Sequence, residues 1–136
     1  MKLEAINPPS LVPAKGYANG VVVGPGRTVY VAGQIAWTAA QEIVSDDFVA
    51  QFDQALANVL AVVESAGGRA EHLVKMTVYV TDLEAYRSNL RAVGERWKAR
   101  VGRHFPAMAL VGVTGLVERR AQVEIEAVAH LPAATE

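Results

Sequence analysis

Phe48, Phe52, Leu56, Val59, Leu60 and Val63 fall at the spacing of a single apolar stripe along an α-helix. Ser45-Asp46-Asp47 precedes them with side chains suited to an N-cap and with charge that favours a helix N-terminus. Gly67-Gly68 supplies the stop. A second stripe, Leu83, Tyr86, Leu90, Val93 and Trp97, predicts another one-sided helix that closes at Gly102, and Thr81-x-x-Glu84 before it fits a capping box. Elsewhere the period changes. Gly20 to Val23 reads as a short strand, and Thr28 to Ile35 as a longer one rich in β-branched and aromatic residues. The turn Gly24-Pro25-Gly26 between them predicts a hairpin. Val74 to Val80, Ala107 to Val113 and Gln122 to Ala129 complete the strands. In the last, Val123, Ile125, Ala127 and Ala129 share one face, and Gln122, Glu124 and Glu126 share the other.

The order β-β-α-β-α-β-β predicts an α+β domain in which a mixed β-sheet carries two helices packed on one face. The opposite sheet face must meet water or another subunit, and assembly is expected there. Asn7-Pro8-Pro9-Ser10 and Pro13 mark an irregular opening segment. No linker, charge block or low-complexity run divides the chain, so residues 1–136 read as one domain.

Composition narrows the function classes. Hydrophobic residues make up 51% and charged residues 20%, a low charged share that suits a surface partly covered by partner subunits. The net charge of −1 and the scattered basic residues leave no footprint for nucleic acid. The densest basic cluster, Arg96, Lys98, Arg100 and Arg103, reads as a solvated helix face. With no cysteine there is no disulfide, thiolate metal site or cysteine nucleophile. No apolar run approaches membrane-spanning length, and MKLEAINPPS lacks the core of a signal peptide, so a cytoplasmic protein without membrane association is expected.

Most motifs resolve to structural readings. Gly24-Pro25-Gly26 joins two strands, whereas a phosphate-cradling loop runs from a strand to a helix N-terminus. His72, His104 and His130 lack metal-ligand spacing and read as surface or hydrogen-bonding histidines; no metal site is predicted. There is no Gly-x-Ser-x-Gly elbow, and nothing argues that Lys75 is desolvated enough to form a Schiff base. Two features stand out. Glu124 and Glu126 place carboxylates in an otherwise apolar strand, where they serve either an exposed face or inter-subunit salt bridge, or a function. Ala32-Gly33-Gln34 puts a glycine within a strand, which often marks the close approach of a backbone or ligand.

These pieces coincide with a known pattern. Lys15-Gly16-Tyr17, Val31-Ala32-Gly33-Gln34-Ile35, Leu56-Ala57-Asn58-Val59, Val74 to Val80 with Asp82-Leu83, Phe105-Pro106-Ala107 and Val123-Glu124-Ile125-Glu126-Ala127 occur in order from about residue 15 to residue 130. Together they resemble the RidA/YjgF family, also called the endoribonuclease L-PSP family, whose members include imine/enamine deaminases. The resemblance implies a chorismate-mutase-like fold and a homotrimer with ligand clefts between subunits. It also implies hydrolysis of a small-molecule imine or enamine to a carbonyl compound and ammonia, without metal or organic cofactor. In that reading Glu124 is the catalytic carboxylate that orders water and shuttles protons. Tyr17, Gly33, Gln34 and Ala107 line the cleft.

Two departures follow from the same resemblance. Met108 stands where active members hold a carboxylate-binding arginine, and Ala32 where they hold a small hydroxyl residue. Loss of a charged hydrogen bond weakens binding by about ten- to hundredfold, and methionine offers a flexible apolar body instead. The expected substrate is therefore less charged or more apolar than 2-aminoacrylate. Trp37 supplies either an aromatic wall of the cleft or packing between subunits. Lys15, Arg87, Arg91 and Arg103 are the cations that would replace the lost one from another element. A non-catalytic small-molecule-binding or interaction protein on the same scaffold is the alternative, and endoribonuclease activity runs against the charge balance.

Overall fold

The computed structural model describes residues 3–133. Its elements are β1 (Glu4–Ile6), β2 (Gly20–Val22), β3 (Gly26–Gln34), α1 (Phe48–Ser65), a 3-10 turn (Ala70–His72), β4 (Leu73–Val80), α2 (Leu83–Arg87), α3 (Leu90–Val101), β5 (Ala107–Gly112) and β6 (Val123–Pro132). The main sheet runs β3-β6-β4-β5, antiparallel except for the parallel β4–β5 pair, and is therefore mixed.

The apolar stripe of α1 becomes the floor of the core. Phe48, Phe52, Leu56, Val59, Leu60 and Val63 are all buried, and α1 lies across β3 and β6 with α3 beside it. Each such side chain removed from water contributes about 1.5–3 kcal/mol. Asp47 caps the helix by accepting from the Ala50 N–H at 2.9 Å. At the other end Gly67 takes φ 91°, and the Gly67 and Gly68 N–H groups donate to Glu64 and Val63, which closes a Schellman turn.

Three local expectations are corrected. The predicted hairpin does not form: β2 pairs with β1, in a segment expected to be irregular, and β3 pairs with β6 along most of its length. The Pro25 carbonyl accepts from Ala133 N–H, beyond β6, rather than closing a turn onto β2. The second helix is broken. The Ser88 N–H still donates to the Glu84 carbonyl, but Asn89 Nδ2 takes the Ala85 carbonyl at 2.7 Å and the Asn89 N–H turns to Tyr86, so the ladder stops there. Finally, Asp82 rather than Thr81 is the N-cap of α2, accepting from the N–H groups of Glu84 and Ala85.

The helices lie on one side of the sheet. On the other side Tyr30, Ala32, Lys75, Thr77, Tyr79, Glu124 and Glu126 have no covering layer within the chain, and Tyr30 is 80% exposed. Among the described residues no helix is long and apolar enough to cross a membrane.

Candidate functional site

Strand alternation sends Val123, Ile125 and Ala127 into the core and leaves Glu124 and Glu126 on the uncovered face. β6 is an interior strand, so both carboxylates stand well inside the sheet, Glu124 opposite Tyr79 and Glu126 opposite Thr77. In β3 the register slips between Val31 and Gln34, one residue more than β6 offers over the same span. This bulge carries Ala32 and Gly33. A Cβ on Gly33 would overlap the Glu124 carboxylate, so the glycine is there to admit a side chain of the neighbouring strand. Gln34 Nε2 folds back to the Ala32 carbonyl at 3.1 Å. Next to this unit the Tyr79 hydroxyl donates to Glu126 Oε2 at 2.8 Å, and that bond raises the Tyr79 pKa above its usual value. Neither glutamate forms an ion pair among the described residues.

Met108 belongs to a different place. It pairs with the fully buried Met76 and packs against the core from the edge strand β5. There it lines a groove of about 460 Å³ with Phe52, Val78, Trp97, Phe105 and Leu110. Trp97 and Phe105 stack with centroids 6.1 Å apart, and the Trp97 indole donates to the His104 carbonyl at 3.2 Å. Tyr17 is drawn to the same end of the molecule because the Ala18 N–H donates to Pro106 at 2.9 Å and Ala18 bridges to Ala107. Tyr17, Arg103 and Phe105 face a second, open cavity of about 1000 Å³ under the opening segment.

The predicted residues thus form two clusters. Ala32, Gly33, Gln34 and Glu124 meet at the bulge; Tyr17, Ala107 and Met108 lie at the start of β5, with Tyr17 and Met108 in separate cavities. Within one chain Glu124 and Met108 lie two strands apart, three residues out of register and on opposite faces, which strand geometry converts to roughly 14 Å. Trp37 joins neither cluster. It is half-buried, bridges to Ile43, and its carbonyl accepts from Asn58 Nδ2 at 3.0 Å.

Of the four proposed replacement cations, Arg103 lines the Met108 groove, Arg87 sits 3.8 Å from Glu84, and neither Lys15 nor Arg91 reaches the groove. Sequence reasoning missed Lys98, which also lines it. The basic cluster is exposed as expected, but its members differ in role: Arg100 reaches across to Asp53 while Lys98 and Arg103 stay at the groove. Gln51 was missed as well. It is fully buried, donates to the Ser45 and Arg120 carbonyls and accepts from Gln122 N–H, so it clasps the β5–β6 loop to α1. Each histidine bonds to backbone: His72 Nδ1 accepts from Arg69 N–H, His104 Nε2 meets the Leu73 carbonyl, and His130 Nε2 the Pro25 carbonyl.

Comparison with known proteins places this arrangement. The family described as endoribonuclease L-PSP matches residues 8–131. The chain belongs to the RidA/YjgF, or endoribonuclease L-PSP, family. Among its relatives in this family is the 2-iminobutanoate/2-iminopropanoate deaminase of Salmonella typhimurium, 36% identical over 83% of this chain and 85% of the relative. Protein DfrA of Myxococcus xanthus is 35% identical over 83% of each chain. Among solved structures, the Rid family protein YyfB from Yersinia pestis, described as of unknown function, superposes with a TM-score of 0.86 at 33% identity, covering 96% of this chain and all of that one. The YjgF product of Escherichia coli gives a TM-score of 0.68 at 35% identity over 84% and 87% of the two chains. Membership of the RidA/YjgF family accounts for the α+β architecture as well as for the motifs.

Proposed function

We propose that this protein is a hydrolytic deaminase of a small imine or enamine, working as a homotrimer with its clefts between neighbouring subunits. The observation that carries the reading is the Glu124 carboxylate seated against Gly33 on the uncovered sheet face, half-buried and without an ion-pair partner among the described residues. A carboxylate so placed accepts a proton from water as its oxygen adds to the imine carbon. That proton returns to nitrogen to give the carbinolamine; the same carboxylate then carries the hydroxyl proton to nitrogen, the C–N bond breaks, and ammonia leaves as the carbonyl forms. Water and imine thus balance ketone or keto acid and ammonia.

Similarity to a relative named as a 2-iminobutanoate/2-iminopropanoate deaminase supports the chemistry. The separation of Glu124 from Met108 and Tyr17 supports the assembly, since a cleft containing both clusters needs the β5 edge of a second copy. The outer edges of β3 and β5, and the exposed Tyr30, suit such contacts.

The test is ammonia release from imines generated in situ from small and bulky amino acids. Wild type is compared with Glu124→Ala, and sedimentation gives the oligomeric state. Turnover that falls by at least about a hundredfold in Glu124→Ala is expected. Trimer that turns over no imine, beside an active relative, overturns the reading and leaves a binding protein on this scaffold.

A further inference from the structure

The groove beneath Met108 has an uneven chemistry. Its walls are apolar and aromatic, yet Lys98 and Arg103 both line it, and among its described lining residues there is no carboxylate. Neither cation is taken by an ion pair: the pairs formed among the described residues use Arg69, Arg87, Arg100 and Arg120. Two free positive charges beside a hydrocarbon surface attract an anion that brings its own apolar body. The volume of about 460 Å³ falls in the range of small-molecule sites and exceeds what a three-carbon acid fills.

We propose that this groove binds a monocarboxylate with a bulky apolar side chain. The carboxylate meets Arg103 and Lys98, and the hydrocarbon lies along Met108, Trp97 and Leu90. For the deaminase, that names the substrate class as imines of large apolar amino acids, a step that rests on the proposed function; the acid-binding itself does not. Met108 then extends the apolar wall, and the charge that holds the acid comes from α3 and the turn after it instead of from β5.

Gly94 allows a decisive variant. It lies in α3 and lines the groove, and a Cβ there meets nothing within 4 Å. Gly94→Leu adds its Cβ into open space and improves helix propensity, and the branched side chain beyond it is expected to occupy the groove while the fold is kept. Calorimetry on the full chain, with 3-phenylpropanoate as probe, is compared with 3-phenylpropanamide and with propanoate. Saturable binding of the aromatic acid is expected, weaker by about tenfold or more for either comparison ligand and for the Lys98→Gln/Arg103→Gln double variant. Gly94→Leu abolishes it with no fall in melting temperature. Absence of saturable binding, equal binding of the amide, or binding retained in Gly94→Leu overturns the proposal. Acid binding without ammonia release from any imine sinks the deaminase reading and leaves the groove. Glu124-dependent ammonia release without acid binding does the reverse.

Discussion

The Glu124 carboxylate occupies the space in which a residue other than glycine at position 33 would carry its Cβ. A bulge in β3 and an alternating strand β6 meet at that point, and the two features depend on each other. Gly33 does not use a left-handed φ, so its backbone accepts alanine; the nearest obstruction is the glutamate side chain.

Gly33→Ala is therefore expected to act through Glu124. The carboxylate swings aside at a stability cost of about 0.5–2 kcal/mol, since the obstructing atoms end a flexible side chain. Ammonia release should fall about tenfold or more, because catalytic geometry tolerates little displacement. Combined with Glu124→Ala, the substitution should cost no further activity, and the double-variant cycle should be strongly non-additive. Additive losses would separate the two residues.

Gln51→Leu is expected to cost about 2–4 kcal/mol in urea unfolding. The side chain is isosteric enough to fit, but it leaves the Gln122 N–H and the Ser45 and Arg120 carbonyls without their present partner. A change below about 0.5 kcal/mol would mean that the loop re-forms those bonds elsewhere.

Asp53 on α1 accepts from Arg100 Nε and Nη2 on α3 at 2.6 and 2.9 Å, and those bonds hold its carboxyl below the usual carboxylate range despite partial burial. A depressed folded value means that the unfolded chain takes up its proton first as pH falls. The stabilisation is thus present above about pH 4, the unfolded aspartate range, and is lost as pH drops through the folded value. Asp53→Asn should cost roughly 0.5–1.5 kcal/mol at neutral pH, the pair being partly screened by solvent. The gap from wild type should narrow in urea titrations near pH 3; a gap that widens there would be the wrong sign.

Met108→Arg introduces a guanidinium among Trp97, Val78 and Leu110 at a half-buried edge position. The long side chain can carry its charge to the groove mouth, so a loss of about 1–2 kcal/mol is expected in thermal or urea unfolding. Under the proposed function the variant should favour short imino acids over bulky ones relative to wild type. An unchanged substrate ranking would place Met108 outside the cleft.

Local periodicity determined a good deal. The stripe at Phe48 to Val63 and the alternation at Val123 to Ala129 each predict an element and its buried face, because burial of one side imposes a repeat on the chain itself; of the stripe from Leu83 to Trp97 only Val93 and Trp97 are buried, on the second of two helices. The motif string from Lys15 to Ala127 also carried the family and the weight on Glu124 and Gly33. What failed were choices between local partners. Whether β2 pairs with β3 or β1 turns on which edge is free in space, and the break at Ser88-Asn89 on an asparagine side chain taking a carbonyl already within reach.

The site divides in the same way. Residue types named Glu124, Gly33, Tyr17 and Met108, but only the sheet order put Glu124 on Gly33 and sent Met108 to the other face. Lys98 looks like an ordinary solvated charge in sequence, and Arg103 is one of four candidate cations that sequence alone does not place. Their shared groove with Met108 arises where α3 and its following turn pack against β5, a contact between distant segments that no short-range pattern encodes.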